Sequence, residues 1–115
     1  MTNRTMRSEA DQLAGLDRVA RLAASRQTNM QIMHVEPGHP SANPPIPAML
    51  GLVPVGVPPS EALQVVYFIE DYGYDVWSKG GSDVAANNVT AEVAADRLVR
   101  QYLRYKVERI TDRGV

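Results

Sequence analysis

Residues 89–112, VTAEVAADRLVRQYLRYKVERITD, carry the clearest periodic pattern in this chain of 115 residues. Thr90 can cap a helix, and Glu92 lies in the first turn, where the helix dipole favours an acidic side chain. At 3.6 residues per turn, one broad face collects the apolar residues Ala91, Ala95, Leu98, Val99, Tyr102, Leu103 and Ile110. The pattern predicts an amphipathic helix over residues 90–111, which must pack on the rest of the chain or on a partner.

A second helix is predicted near the N-terminus, over residues 8–27. Ser8 is a plausible N-cap, and Gly15 lies inside the helix at a cost of about 1 kcal/mol relative to alanine. The apolar stripe is thin and recurs every three residues, at Leu13, Leu16, Val19 and Leu22. Two interpretations follow: an ordinary packed helix, or an N-terminal arm, residues 1–28, that docks on a neighbouring subunit.

All eight prolines fall within residues 36–59. Proline fixes φ and removes a backbone donor, so this stretch cannot form a continuous helix or a central strand. Its apolar residues are too many to leave in water, which predicts a long ordered loop that lies on another surface. The side chains predicted to bind a partner chain are Ile46, Met49, Leu50, Leu52, Val53, Val55 and Val57. The alternative is that the loop closes the core of its own domain.

Residues 60–72 are predicted to form a third helix, with Ser60 as its N-cap and Gly73 as the residue that ends it. A competing interpretation makes residues 65–69 a strand, because this run is β-branched and aromatic. The predicted fold is therefore mainly α. It is a single domain, 1–115, whose helical core spans 60–112, with room for very short β segments near 30–35 and 52–57. The expected core comprises Leu63, Val66, Tyr67, Ile69, Trp77, Leu98, Val99, Tyr102, Leu103 and Ile110.

Composition narrows the functional classes. Twelve basic and thirteen acidic residues give a net charge of −1, which makes nucleic acid an unlikely partner. The absence of cysteine excludes disulfides, thiolate metal sites and cysteine nucleophiles. No apolar run approaches the roughly 18 residues of a membrane span, and residues 1–7 do not resemble a secretory signal. The expected location is the cytoplasm or an assembled particle, without a membrane partner.

Two polar clusters are candidate sites of chemistry. His34, Glu36 and His39 have a spacing found among metal ligands, but the chain holds no other histidine or cysteine to complete a set, so a surface loop is favoured. Glu70 and Asp75 lie among aromatic residues, as do the acids of glycosidases. A ligand-binding patch is predicted at Tyr72, Tyr74, Asp75 and Trp77, although solvated acids beside core aromatics would look the same. No catalytic residue, metal ligand or cofactor site is assigned.

The last helix also carries a ladder of arginines, Arg97, Arg100 and Arg104, opposite its apolar face. Such a ladder can meet phosphates, but acids four residues away offset part of its charge, so a solvated face is the favoured interpretation. The predicted function is a non-enzymatic structural or adaptor subunit of a homo-oligomer or a virus-particle-like complex. It would use the proline-rich apolar segment for contacts between subunits, and the alternative is a module that binds a small ligand at the aromatic and acidic patch.

Overall fold

The computed structural model describes residues 5–27, 32–35, 49–54, 56, 61–78 and 83–113. A helix comes first, five strands follow, and a second helix ends the described chain. Their bounds are α1 (Glu9–Arg26), β1 (Ile32–Val35), β2 (Met49–Leu52), β3 (Gln64–Tyr67), β4 (Tyr74–Ser78), β5 (Asp83–Val89) and α2 (Ala91–Arg113). The strands form one antiparallel sheet in the order β1-β2-β3-β4-β5, so each strand pairs with its neighbours in sequence.

This α+β architecture shows that the predicted three-helix, mainly α domain is wrong. The segment assigned to a third helix contains β3, which pairs with β2 on one side and β4 on the other. The competing interpretation of residues 65–69 as a strand is the closer one, because Val65, Val66 and Tyr67 favour extended backbone. Their cross-strand pairing outweighs the helix-start signal at Ser60, a local preference of about 1 kcal/mol.

Both terminal helices are confirmed, within two residues at each end. The hydroxyl of Ser8 accepts a hydrogen bond from the backbone N–H of Asp11 at 3.1 Å, as expected for an N-cap. Thr90 caps α2 in the same way, by accepting from the N–H of Val93 at 3.2 Å. A β segment near 30–35 is also confirmed as β1, whereas the one expected near 52–57 lies earlier, as β2.

The two helices pack against one face of the sheet, called here the helix-side face. Small alanines on α2 allow it to approach α1 closely, and ion pairs join Arg18 to Glu92 at 3.2 Å and Arg26 to Asp96 at 3.6 Å. The buried core combines both helices with alternate residues of three strands. It comprises Leu16, Val19, Ala23, Leu50, Leu52, Val66, Tyr74, Val76, Ala91, Ala94, Ala95 and Leu98.

The N-terminal segment is held by its own chain. The backbone N–H of Arg7 donates to the carbonyl of Ile69 at 2.7 Å, and that of Asp71 donates to the carbonyl of Thr5 at 2.9 Å. The guanidinium of Arg7 lies 3.7 Å from the centre of the Phe68 ring and donates to the carbonyl of Tyr72 at 2.8 Å. From residue 5 to the end of α1, the chain therefore follows the ordinary packed-helix interpretation.

The expected core is partly correct. Val66 and Leu98 are fully buried, but Leu103 is 43% exposed because α2 continues beyond the sheet. The side chain of Ile110 lies outside the described residues. The remaining expected members are half-buried: Leu63, Tyr67, Ile69, Trp77, Val99 and Tyr102.

Candidate functional site

The opposite face of the sheet carries a row of apolar side chains with no helix residue among them. Side chains that lie directly opposite one another on adjacent strands share a face. The register therefore aligns Gly51 with Val65, Val65 with Trp77, and Trp77 with Val84. A second line joins Met49 to Tyr67. We call this surface the helix-free face; its apolar members are Met49, Val65, Tyr67, Trp77 and Val84, and Asp75, opposite Tyr67 in the register, lies on the same face.

An aromatic pair lies at the centre of the helix-free face. The rings of Tyr67 and Trp77 meet edge to face, with centroids 6.5 Å apart and planes at 87°. Both side chains are half-buried, and Val84, at the edge strand, is 50% exposed. Burial raises the pKa of the Tyr67 phenol above its ordinary value, so the ring carries no charge near neutral pH. Val65, by contrast, is 2% exposed and is packed with Val53 and Ala62. The exposed apolar surface of the face therefore comes from Met49, Tyr67, Trp77 and Val84.

Strand alternation divides the side chains that the sequence predicted as one partner-binding set. Leu50 and Leu52 point to the helix-side face and are buried in the core of their own chain. Met49 and Val53 belong to the cluster on the helix-free face, where Val53 is 5% exposed and Met49 is half-buried. Three further members lie outside the described residues: Ile46, Val55 and Val57. Of the described members, Met49 thus offers the most surface to a partner.

The predicted ligand patch is divided by the same alternation. Tyr74 turns inward, stacks on Phe68 with centroids 4.1 Å apart, and donates its hydroxyl to the carbonyl of Gly15 at 3.0 Å. Burial is the main cause that raises the pKa of Tyr74, and the positive charge of Arg18 opposes it. Trp77, on the helix-free face, is therefore separated from Tyr74 by the sheet.

Tyr72 and Asp75 do lie together. The Tyr72 hydroxyl donates to one carboxylate oxygen of Asp75, and the backbone N–H of Asn88 donates to the other at 3.2 Å. Asn88 has a positive φ of 52°, and its side-chain oxygen accepts from the N–H of Gly73 at 2.9 Å. These bonds fasten the start of β4 to the end of β5, which gives the Asp75 carboxylate a structural role.

The other acids and histidines form no catalytic set among the described residues. Glu70 pairs with Met6 through an isolated β-bridge, and Asp71 is exposed. His34 lies in β1, while Glu36 and His39 lie outside the described residues. The described part of the chain has no group of three or more histidine, aspartate or glutamate residues that could hold a metal ion.

The arginine ladder borders a cleft between the start of β3 and the middle of α2. We call it the arginine cleft; its volume is about 400 Å³ and its lining comprises Gln64, Val93, Asp96, Arg97, Arg100, Gln101 and Arg104. Sequence reasoning identified the arginines but missed Gln64. The available signal was a polar side chain at an inward-facing position of an apolar strand, beside Val65 and Val66.

Within the described ranges, no helix has the length and apolar character that a membrane crossing would need. Comparison with known proteins finds no family model that matches the chain, and no curated protein or solved structure that is similar to it.

Proposed function

We propose that this protein is a non-enzymatic subunit of an assembly and that it associates with a second copy of itself through the helix-free face. One observation carries the proposal: a contiguous apolar row, with an aromatic pair at its centre, occupies the sheet face without helices. An antiparallel sheet covered on one side usually places polar side chains on the other. Tyrosine, tryptophan and methionine, which this face presents instead, are enriched at protein interfaces.

Charge favours a copy of the same chain as the partner. Met49, Val65, Tyr67, Trp77 and Val84 carry no formal charge. The acid that the register places beside them, Asp75, has both carboxylate oxygens hydrogen-bonded, by Tyr72 and Asn88, which limits like-charge repulsion between two such faces. Two sheets can stack face to face at about 10 Å, with side chains from both filling the space. A two-fold axis would then place the aromatic pairs of both copies near the centre of one interface.

Area limits the strength of this association. The sheet is about 24 Å wide, from five strands at about 4.8 Å spacing, and about 13 Å long, from four residues per strand at about 3.3 Å each. Its helix-free face therefore has an area of roughly 300 Å². A stable interface usually buries about 800 Å² on each partner. We therefore expect a reversible dimer whose population depends on concentration, unless residues beyond the sheet enlarge the contact.

Sedimentation velocity over a broad range of protein concentration tests the proposal. The dimer fraction should rise with concentration and should fall sharply in Val84→Lys, which places a charge on the helix-free face. Leu103→Lys is the matched control, because Leu103 is similarly exposed but lies on α2. A protein that stays monomeric at every concentration, or an equal loss in both variants, would contradict self-association through this face.

A second candidate function is recognition of a small organic cation beside Asp75, at the start of β4. The Asp75 carboxylate accepts from the Tyr72 hydroxyl and lies opposite Tyr67 in the register, and aromatic rings beside an acid attract such cations. Choline titrated into a dilute, monomeric sample should then change the fluorescence of Trp77 in a saturable way, and Asp75→Asn should weaken that response. A response with no saturation would exclude this function.

A further inference from the structure

We propose that the arginine cleft binds a small molecule through an oxyanion group, a phosphate or a carboxylate, and that Gln64 contacts an adjacent polar group of that molecule. The site is independent of the helix-free face. Gln64 and Ser78 are partners in the register, and both lie on the helix-side face of the sheet. Its lining comes from β3 and α2, which the core holds in fixed positions.

Charge in the cleft favours an anion. Its lining contains three arginines and one acid, Asp96, and Glu108 pairs with Arg104 from outside the lining, so three arginines and two acids leave one net positive charge. The carboxylate of Asp96 holds Nε of Arg100 at 2.8 Å, and Glu108 holds Nε of Arg104 at 3.3 Å. These pairs lie along the helix surface and help to orient the two guanidinium groups. Guanidinium groups match the geometry of phosphate and carboxylate oxygens.

Arg97 supplies the positive charge that remains available. Among the described residues, no carboxylate forms an ion pair with it, and its side chain is exposed. It lies three residues before Arg100 and one turn from Gln101, so all three side chains can reach the same opening on the helix. A single oxyanion bound there would interact most strongly with Arg97, which has no ion-pair partner among the described residues, and less strongly with the paired Arg100 and Arg104.

Gln64 is the second, independent observation. The residue is only 5% exposed, and its side-chain oxygen is buried with no hydrogen-bond partner in the described part of the chain. Buried polar atoms in native proteins are nearly always paired, so an unpaired one in the lining of a basic cleft calls for a functional explanation. The oxygen is inaccessible in this conformation, so the amide must rotate to meet a ligand. Once rotated, it can accept from a ligand hydroxyl or N–H through its oxygen, or donate to an anion through its NH₂ group.

The ligand class follows from these two features together. A phosphate ester or a hydroxy acid combines an oxyanion with a neighbouring hydroxyl, and a cleft of about 400 Å³ is within the usual size range for small-molecule sites. Nucleic acid fits less well, because acids offset two of the three arginines and the chain has a net charge of −1.

Proton–nitrogen NMR of the full chain tests the site directly. Inorganic phosphate is titrated against potassium chloride of equal ionic strength, and malonate is titrated in parallel to separate phosphate from carboxylate recognition. We expect at least one of the two anions to produce saturable shifts at the Gln64 side-chain amide and at Nε–H of Arg97. Arg97→Gln should weaken binding at least tenfold, whereas Arg21→Gln, an exposed arginine on α1 paired with Asp17, should leave it unchanged.

A second variant separates binding from folding. Gln64→Leu removes the unpaired amide, so the thermal midpoint without ligand should stay the same or rise, while the increase that the bound anion causes should shrink. The absence of saturable shifts with both anions, or an equal loss of binding in Arg21→Gln, would overturn the proposal. Binding of a single-stranded oligonucleotide at physiological salt that requires all three arginines would assign the cleft to nucleic acid instead.

Discussion

The two faces of the sheet are built from the same strands but carry different kinds of side chain. The helix-side face presents compact aliphatic residues, such as Leu50, Val66 and Val76, and all three are fully buried. The helix-free face presents the larger Met49 and Trp77, among others, and both remain partly exposed. Fully buried aliphatic side chains are typical of a permanent core. Large, partly solvent-exposed side chains such as Trp77 are suited to a surface that becomes covered when a partner binds.

This difference suggests that one face stabilises the fold and the other provides recognition. Replacing a buried aliphatic residue of the helix-side face should therefore lower stability, and replacing an exposed residue of the helix-free face should change association. The same replacement made on each face separates these effects within one small domain.

The largest effect is expected from one replacement made at two valines. Val66→Lys buries an unpaired ammonium in the core, and it should lower the free energy of unfolding by more than about 4 kcal/mol, enough to unfold the domain. Val84→Lys, at a half-exposed position, should change it by less than about 0.5 kcal/mol. Chemical denaturation followed by circular dichroism measures both. Comparable losses in the two variants would mean that the helix-free face is part of the core.

An intermediate effect is expected at Gly15, where α1 meets Phe68. A methyl group there would collide with the Phe68 ring, which is confined between the Arg7 guanidinium and the stacked ring of Tyr74. Gly15→Ala should therefore lower the free energy of unfolding by about 1–2 kcal/mol, as is typical of an overpacked core site. The same substitution at an open helix position would raise it by about 1 kcal/mol.

Ala24, an exposed position of the same helix, supplies the control for this comparison. Ala24→Gly should cost about 1 kcal/mol through helix propensity alone. If Gly15→Ala stabilised the protein in thermal melts, α1 would lie farther from the sheet than its contact with Phe68 implies.

The smallest effect concerns the link between the two helices. A hydrogen bond from its own backbone N–H is the main cause that holds the pKa of Glu92 below its ordinary 4.5, and the charge of Arg18 acts in the same direction. Because the pKa of Glu92 is lower in the folded state than in the unfolded state, its ionised carboxylate stabilises the fold above about pH 4.5. This stabilisation is lost as the pH falls through the folded-state pKa. Thermal midpoints should therefore decline less steeply below about pH 4.5 in Glu92→Gln than in the unmodified protein. Parallel declines would show that the ionisation of Glu92 does not contribute to stability.

The sequence predicts the helices better than the sheet, for a physical reason. Helix signals are local: a cap such as Ser8 or Thr90 and an apolar residue at each turn lie within a few positions of one another. Strand β5 has no comparable signal, since Ala85, Ala86 and Asn87 have weak β propensity, and only pairing with β4 makes them extended.

The candidate sites were predictable in part for the same reason. The arginine ladder and the aromatic cluster could be identified along the chain. Which side chains share a face depends on strand register, and the helix predicted over 60–72 concealed the pairing of β3 with β4 that brings Tyr67 beside Trp77. Gln64 joins the arginine cleft only because β3 begins beside α2, a juxtaposition of residues 29 to 40 positions apart that no local pattern encodes.

The fluorescence of Trp77 tests most directly whether the helix-free face is an interface, because it is the only tryptophan in the chain. Acrylamide quenching is measured at protein concentrations from well below to well above the sedimentation midpoint. We expect quenching to weaken and the emission maximum to move to shorter wavelength as concentration rises, with neither change in Val84→Lys. Quenching that stays constant while the protein dimerises would contradict the proposal, since Trp77 would then remain equally exposed in both states.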